Sequence, residues 1–311
     1  MNDADMSPST PPKGADGVSV TPDNDTLFEL ENVTYSYSED RPPALDDIAL
    51  TVKRGEYVAL LGHNGSGKST LARLLNGLRV PSSGRILVAG DDTRLPESRG
   101  RIRELVGMIF SDPDNQIVAT IVEDDVAWGL AARGRPRTEI THRVDVALAA
   151  VGLTDMRARP PYELSGGQRQ RLAIAGVLAL EPACIVADEP TALLDPQARV
   201  EMVGLLHDLH RARGLTVVHV THLLEEAALA DRIIILEAGH VAFDGSPAAV
   251  FADLDRLRRL HLVVPDVAVL GERLRAAGLS IPASAVTPDT LVRALAALIA
   301  PAVVAPMETA S

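Results

Sequence analysis

Gly62-His63-Asn64-Gly65-Ser66-Gly67-Lys68-Ser69 fits the pattern G-x-x-x-x-G-K-S/T, and its flanks decide the fold. The preceding Tyr57-Val58-Ala59-Leu60-Leu61 is an apolar run of strand type, while Leu71, Leu74, Leu75 and Leu78 beyond it form a helical stripe. Strand, glycine-rich loop and helix therefore come in the order that a phosphate-cradling loop requires. Successive backbone N–H groups of such a loop form a nest for the β- and γ-phosphates of a nucleotide, and its glycines permit φ > 0 turns and close backbone approach. The following helix points its positive N-terminal end at the same anion. Lys68 adds a point charge between the two phosphates, and Ser69 offers a hydroxyl to Mg²⁺.

Outward from this loop, apolar runs of strand type alternate from Phe28 onward with amphipathic stretches of helical period, the signature of an α/β domain with a largely parallel sheet. Further strands are predicted at 183–187, 215–220 and 233–236, with Gly239 as a turn toward 241–243. Residues 1–25 are rich in Asp, Ser, Thr, Pro and Gly and read as a disordered leader, because they have too little apolar surface to offset their ordering entropy. The main domain is expected over 26–251, with a mainly helical insertion at about 101–170. In 252–311, Val267, Leu270 and Leu274 share one helical face after Pro265, with a stop at Gly278. Thr287-Pro288 then opens a second helix carrying Leu291, Leu295 and Leu298. These helices either dock on the main domain or pair subunits.

Three more motifs carry chemistry. Cys184-Ile185-Val186-Ala187 leads into Asp188-Glu189, as in a buried strand that delivers carboxylates to its carboxyl end beside the phosphate loop. Asp188 would hold Mg²⁺, and Glu189 would face the γ-phosphate and accept a proton from an attacking water. The strand ending at Val220 runs into Thr221-His222; on position alone, His222 is either a phosphate-facing imidazole or a structural histidine. Leu164-Ser165-Gly166-Gly167-Gln168 opens a helix bearing Leu172, Ile174, Val177 and Leu178, and is either a second anion cradle or a plain loop-to-helix turn. One nucleotide has one γ-phosphate, so two cradles in one chain favour a dimer with shared sites.

Composition narrows the partners. A formal net charge of −12 argues against nucleic acid, whose binding draws affinity from Lys and Arg on phosphates. No apolar run reaches the roughly 20 residues of a membrane span, since 294–305 is broken by Pro301. The acidic start Met1-Asn2-Asp3-Ala4-Asp5 lacks a signal-peptide pattern, which predicts a cytoplasmic location. Cys184 is the only cysteine, reads as core filler, and leaves no internal disulfide or cysteine-based zinc site.

Taken together, these residues resemble the nucleotide-binding subunit of ABC transporters over 28–251, with Leu164–Gln168 as signature and His222 as switch histidine. The resemblance implies a P-loop NTPase with an ABC-type helical subdomain, an antiparallel β subdomain and a small C-terminal helical extension. It implies that two subunits sandwich two ATP molecules. Each ATP lies between the phosphate loop of one chain, with Thr70 beside it, and Ser165, Gly166, Gly167 and Gln168 of the other. Tyr37 would stack on adenine, and Asp195 in Thr191-Ala192-Leu193-Leu194-Asp195-Pro196 would link the two sites. A narrower resemblance rests on Gly62 to Leu78, Asp112-Pro113-Asp114-Asn115-Gln116 and Val122-Glu123-Asp124-Asp125-Val126-Ala127-Trp128-Gly129. These are similar to the ATPase subunits of energy-coupling factor (ECF) importers, which take up vitamins or transition-metal ions such as cobalt and nickel. That implies a transmembrane coupling subunit, a substrate-binding membrane subunit, and a place at the cytoplasmic face of the membrane. The tail at 257–299 resembles that family's dimer-stabilising extension.

Other P-loop proteins fit less well. A small-molecule kinase does not explain a signature loop plus a switch histidine. The repair ATPases insert coiled coils or zinc modules, and 68–165 has neither sustained heptads nor cysteines. Ribosome-acting ABC factors carry two ATPase units per chain. A non-enzymatic module would have no need of Glu189. The acidic group Glu123, Asp124 and Asp125 is either a solvated helix face or, by the resemblance, a site where carboxylates pair with arginines of a coupling helix beside Trp128.

The family places glutamine directly after the equivalent of Phe110, where this chain has Ser111. Serine is shorter and would reach the metal only through a bridging water, and Gln116 stands too far along to replace it. Ser111→Gln is therefore expected to raise ATPase turnover of the assembled transporter; an unchanged rate in a phosphate-release assay counts against this.

Overall fold

The computed structural model describes residues 25–299. The predicted leader, apart from Asp25, and the end of the tail from 300 onward lie outside the described residues. Thr26–Tyr35 (β1) and Leu45–Lys53 (β2) pair antiparallel and bury Phe28, Leu30 and Val33 against Ile48, Leu50 and Val52. The period of two is interrupted between Leu45 and Ile48, where Asp47 takes φ 53° and the register shifts. Tyr57–Leu61 (β3) leads through the phosphate loop into Lys68–Leu75 (α1). Ser83–Val88 (β4) and Asp91–Asp92 (β5) complete a four-stranded sheet of order β2-β1-β4-β5.

Ser98–Leu105 (α2) then runs directly into Val106–Ile109 (β6). This corrects the expected insertion at 101–170: its first part belongs to the main sheet. Four apolar residues after a helix are too few to show a strand's period, and only pairing with a neighbour reveals one. Val122–Ala132 (α3), Arg137–Val151 (α4) and Gly166–Leu178 (α5) pack on one another as the helical part. Cys184–Asp188 (β7), Pro196–Arg213 (α6), Thr216–Val220 (β8), Arg232–Glu237 (β9) and His240–Gly245 (β10) complete a six-stranded sheet. Its order is β10-β9-β3-β8-β7-β6, parallel except for β10, as the strand-and-helix alternation predicted.

Side chains alternate across this sheet into two cores. Tyr57, Ala59, Leu61, Ile185, Ala187 and Val217 face the helices, while Val58, Leu60, Val186, Val218 and Val220 face α1 and the antiparallel sheet. Covering both faces is what makes each central strand read as an unbroken apolar run. Cys184 is buried in the second core, as filler. Leu60 and Asp188 both pair with Val220, so β3, β7 and β8 end level with one another.

Pro247–Phe251 (α7), Leu254–Arg259 (α8), Asp266–Ala276 (α9) and Pro288–Ile299 (α10) follow. Phe251, Leu254, Leu257, Leu262, Ala268 and Val286 enter the helix-side core, so the extension docks on the main domain. Between α9 and α10, Ile281, Ala285 and Leu291 form a small core with Val267, Leu274 and Leu295 packed on it. Leu270 and Leu298, expected on the same faces, instead remain 47% and 43% exposed.

The helix that begins with the signature is seated on the sheet through one glycine. A Cβ on Gly107 of β6 would overlap Val177 Cγ1 of α5 and stand 3.5 Å from Pro182 Cγ. A helical valine has little freedom at χ1 to move aside. Gly107→Val is expected to cost about 1–3 kcal/mol of stability by overpacking, read from urea denaturation, with the melting transition lowered accordingly.

Candidate active site

The phosphate loop is shaped by what a side chain would strike. Gly62 has φ 154°, and a Cβ there would meet Ser66 Oγ and Leu236 O. Gly67 has φ 106°, and a Cβ would meet Ala44 O and Leu45 Cδ2. No side chain caps α1 at Gly67, which leaves its first-turn N–H groups for an anion. Lys68 curls back so that Nζ donates to Gly62 O at 2.8 Å and His63 O at 3.1 Å, and only 4% of it is exposed. Burial lowers the Lys68 pKa, partly offset by the nearby carboxylates of Glu189 and Asp188.

Two strands deliver the reactive side chains to this loop. Asp188 ends β7 and accepts a hydrogen bond from Ser69 Oγ at 2.8 Å. Burial raises its pKa, opposed by the Ser69 bond and by the charges of Arg73 and Lys68. A carboxylate and a hydroxyl oxygen side by side are the hard donors that Mg²⁺ takes, so these two residues fit that ion. Glu189 follows in the left-handed region at φ 49°, with its N–H donating to Val220 O at 3.0 Å. A non-glycine residue in that region costs of order 1–3 kcal/mol and persists only where its surroundings hold it. Its side chain reaches both flanking groups: Oε1 lies 3.8 Å from Lys68 Nζ and Oε2 lies 3.4 Å from His222 Nδ1. His222 thus stands beside Glu189, at the same end of the sheet as the phosphate loop.

Tyr37 stands at the start of α1, its hydroxyl 2.9 Å from Thr70 Oγ1 and its ring 52% exposed. Tyr35 meets that ring edge-on at 5.1 Å and the Arg79 guanidinium lies 5.5 Å from its centre. The remaining predicted residues form a second group. Ser165 Oγ accepts from Gln168 N at 3.3 Å, and Gln168 Oε1 accepts from Ser165 N at 2.9 Å, a reciprocal cap on α5. Asp195 caps α6 by accepting from Ala198 N at 3.0 Å, and Gly167 faces Ala198. Among the described residues, no hydrogen bond or ion pair joins this group to the first.

The acidic segment departs from expectation. Asp125 is buried and accepts from Val118 N at 2.7 Å and Ala119 N at 2.9 Å, so it closes the loop before α3 and faces inward. Glu123 pairs with Arg157 at 2.8 Å, and Arg157 also holds Asp145. Of the three carboxylates expected to meet a partner, only Asp124 is exposed, with Trp128 one turn along and 59% exposed. Ser111 is exposed. Gln116 donates to Met108 O and accepts from Phe110 N, so its amide is engaged with the backbone at the end of β6. Near Glu189 and His222 in the chain's fold, the buried carboxylate of Glu226 bonds Thr191 and Thr221, and nothing in the sequence marks it, since it follows Glu225 in an ordinary acidic pair.

This fold and this phosphate-binding site define an ABC-type ATPase, and the ABC transporter family model matches residues 45–192. The energy-coupling factor transporter ATP-binding protein EcfA1 of Symbiobacterium thermophilum is 50% identical over 275 residues, which are 86% of this chain and 96% of that protein. The EcfA1 of Clostridium novyi is 43% identical over 278 residues, 88% of this chain and 99% of its own. Among solved structures, cbiO1 from Clostridium perfringens, described as part of the ABC transporter complex cbiONQ, has a TM-score of 0.70 at 38% identity. That match covers 80% of this chain and 99% of cbiO1. An ATP-binding cassette solved as a dimer in a post-hydrolysis state with ADP and Pi has a TM-score of 0.64 at 32% identity, over 71% of this chain and 99% of its own. The chain belongs to the family of energy-coupling factor transporter ATP-binding proteins, and as such is an ATP-hydrolysing transporter subunit.

Asp125 and Asp124 separate cleanly by experiment. Asp125→Ala removes the carboxylate that accepts from the part-buried amides of Val118 and Ala119 and is expected to destabilise the chain by about 1–3 kcal/mol, whereas Asp124→Ala leaves the denaturation midpoint unchanged within error. Equal midpoints for the two variants contradict the capping role.

Proposed function

We propose that this chain is one half of an ATP-driven clamp that powers an ECF-type importer from the cytoplasmic face of the membrane. The observation that carries this reading is the placement of the Glu189 carboxylate between Lys68 Nζ at 3.8 Å and His222 Nδ1 at 3.4 Å. ATP enters with its β- and γ-phosphates in the nest of residues 62–69, neutralised by Lys68, and with adenine on the exposed ring of Tyr37. Ser69 and Asp188 hold Mg²⁺, which when bound neutralises developing charge on the phosphate oxygens. Glu189 orients a water for in-line attack and takes its proton, and His222 steadies both the carboxylate and the γ-phosphate.

One feature supports a paired arrangement. Ser165, Gly166, Gly167 and Gln168 form an anion-suited helix start that belongs to a separate group from the phosphate loop of the same chain. A second ATPase subunit, identical or related, would present its own copy of that start to this chain's nucleotide, with Asp195 at the seam. Closing buries ATP between the two chains, and release of ADP and phosphate reopens them. No helix among the described residues is long and apolar enough to cross a membrane. In this reading attachment is through a transmembrane coupling subunit, for which Asp124 and Trp128 offer an exposed acid and an aromatic one turn apart. The transported vitamin or metal ion is recognised by a substrate-binding membrane subunit and does not meet this chain.

Glu189→Gln is expected to keep ATP binding, to reduce turnover by at least about 100-fold, the usual contribution of a general base, and to trap a closed dimer on size exclusion with ATP. Normal turnover overturns the assignment.

A further inference from the structure

We propose that Glu226 is a positioning residue for ATP hydrolysis: its carboxylate grips one hydroxyl from the loop that carries Glu189 and one from the loop that carries His222. Glu226 lies in the short turn Glu226–Leu229 and is 5% exposed. Its Oε1 accepts from Thr191 Oγ1 and its Oε2 from Thr221 Oγ1, both at 2.7 Å. Two such short bonds to an ionised acceptor are of the strong, charge-assisted kind.

The two threonines are placed to transmit this grip. Thr191 sits in the turn that follows Glu189, where Ala192 N donates to Glu189 O at 3.2 Å and Leu194 N donates to Thr191 O at 3.0 Å. Thr221 immediately precedes His222, and its Oγ1 also accepts from Leu223 N at 3.1 Å, so one hydroxyl brackets the histidine on both sides. At the strand ends, backbone bonds already tie Glu189 N to Val220 O and Thr221 N to Leu60 O. Beyond the strand ends, no other side chain among the described residues hydrogen-bonds to both loops.

Glu226 is itself oriented from behind. His219 Nε2 lies 3.4 Å from Glu226 Oε2, and His219 Nδ1 lies 3.1 Å from the hydroxyl of Tyr57, with both rings fully buried in the sheet. A neutral imidazole that accepts from Tyr57 at Nδ1 has its proton on Nε2, the nitrogen nearer the carboxylate, although the Nε2–Oε2 approach is a contact and not a hydrogen bond. Burial works to raise the pKa of Glu226, but His219 and the two hydroxyls outweigh it and hold the carboxyl below its ordinary range. A packed apolar cluster would stabilise this region at least as well as a buried carboxylate does. What the carboxylate adds is direction, because each hydroxyl has one acceptor to point at.

This inference rests on the reading of Glu189 and His222 as the hydrolytic pair. Its test uses the assembled transporter with Thr191 and Thr221 replaced singly by Val, which keeps shape and loses the hydroxyl, and by Ser, which keeps the hydroxyl. The valine variants are expected to lose about tenfold or more in kcat with KM for ATP within about threefold of wild type, and the serine variants to recover most of that kcat. Because both threonines act through one carboxylate, adding Thr191→Val to Glu226→Ala lowers kcat no further. Valine variants with wild-type kcat, beside a Glu189→Gln control that has lost turnover, overturn the proposal. A loss of kcat that follows the melting temperature equally in valine and serine variants does the same. A Glu189→Gln control with normal turnover instead removes the hydrolytic reading on which the proposal stands.

Discussion

The level ending of three parallel strands is the constraint from which the site follows. Leu60 of β3 and Asp188 of β7 share one partner, Val220 of β8. The residues that follow these strands, the phosphate loop, Glu189 and Thr221-His222, therefore emerge side by side. A slip of one residue in any of these ladders would turn its side chains to the opposite face and separate the groups. The register is held because both faces are buried: every one of these strands sends alternate residues into each of two cores, so no slipped pairing preserves the packing. Crevices at the carboxyl ends of parallel strands are where open α/β sheets bind ligands, and here the sheet is fully committed to forming one.

Within that crevice the charges are arranged against their own preferences. Burial disfavours the ammonium of Lys68 and the carboxylate of Asp188 alike. Each is offset mainly by the other sign nearby and by loop carbonyls or the Ser69 hydroxyl. Such a set is poised for a ligand that brings both charges, a polyanion with a divalent cation, because each half then replaces an imperfect internal partner with a better one. The left-handed Glu189 belongs to the same pattern, since its backbone strain is maintained by the β8 pairing on one side and the following turn on the other.

Much of this was legible from residues alone, and the reasons differ by feature. The loop at 62–69 and the carboxylates after 184–187 were readable because their chemistry demands fixed spacing next to a strand whose apolar run is unmistakable. Val106–Ile109 was hidden, since four residues carry no period and the neighbouring helices dominate the window. The role of Asp125 was hidden for another reason. A run of three carboxylates looks uniform in sequence, and only the fold reveals that one faces inward to two amides, one holds an arginine, and Asp124 is left to solvent. Glu226 shows the same limit: nothing in Leu224-Glu225-Glu226-Ala227 marks which acid is buried, because its partners Thr191 and Thr221 come from two other segments of the chain.

The reciprocal cap at the start of α5 has a consequence for the moment of closure. A serine hydroxyl has two acceptor lone pairs and a single proton. Ser165 uses an acceptor position for the amide of Gln168, while Gln168 in turn receives the serine amide. The helix start is therefore rigid before any nucleotide arrives, and the hydroxyl proton is the one element of it still free to turn. In the proposed pairing, an approaching phosphate would meet a donor whose rotamer is already chosen, so the ordering entropy of that contact would be lost when the subunit folds and not subtracted again each time the two halves meet.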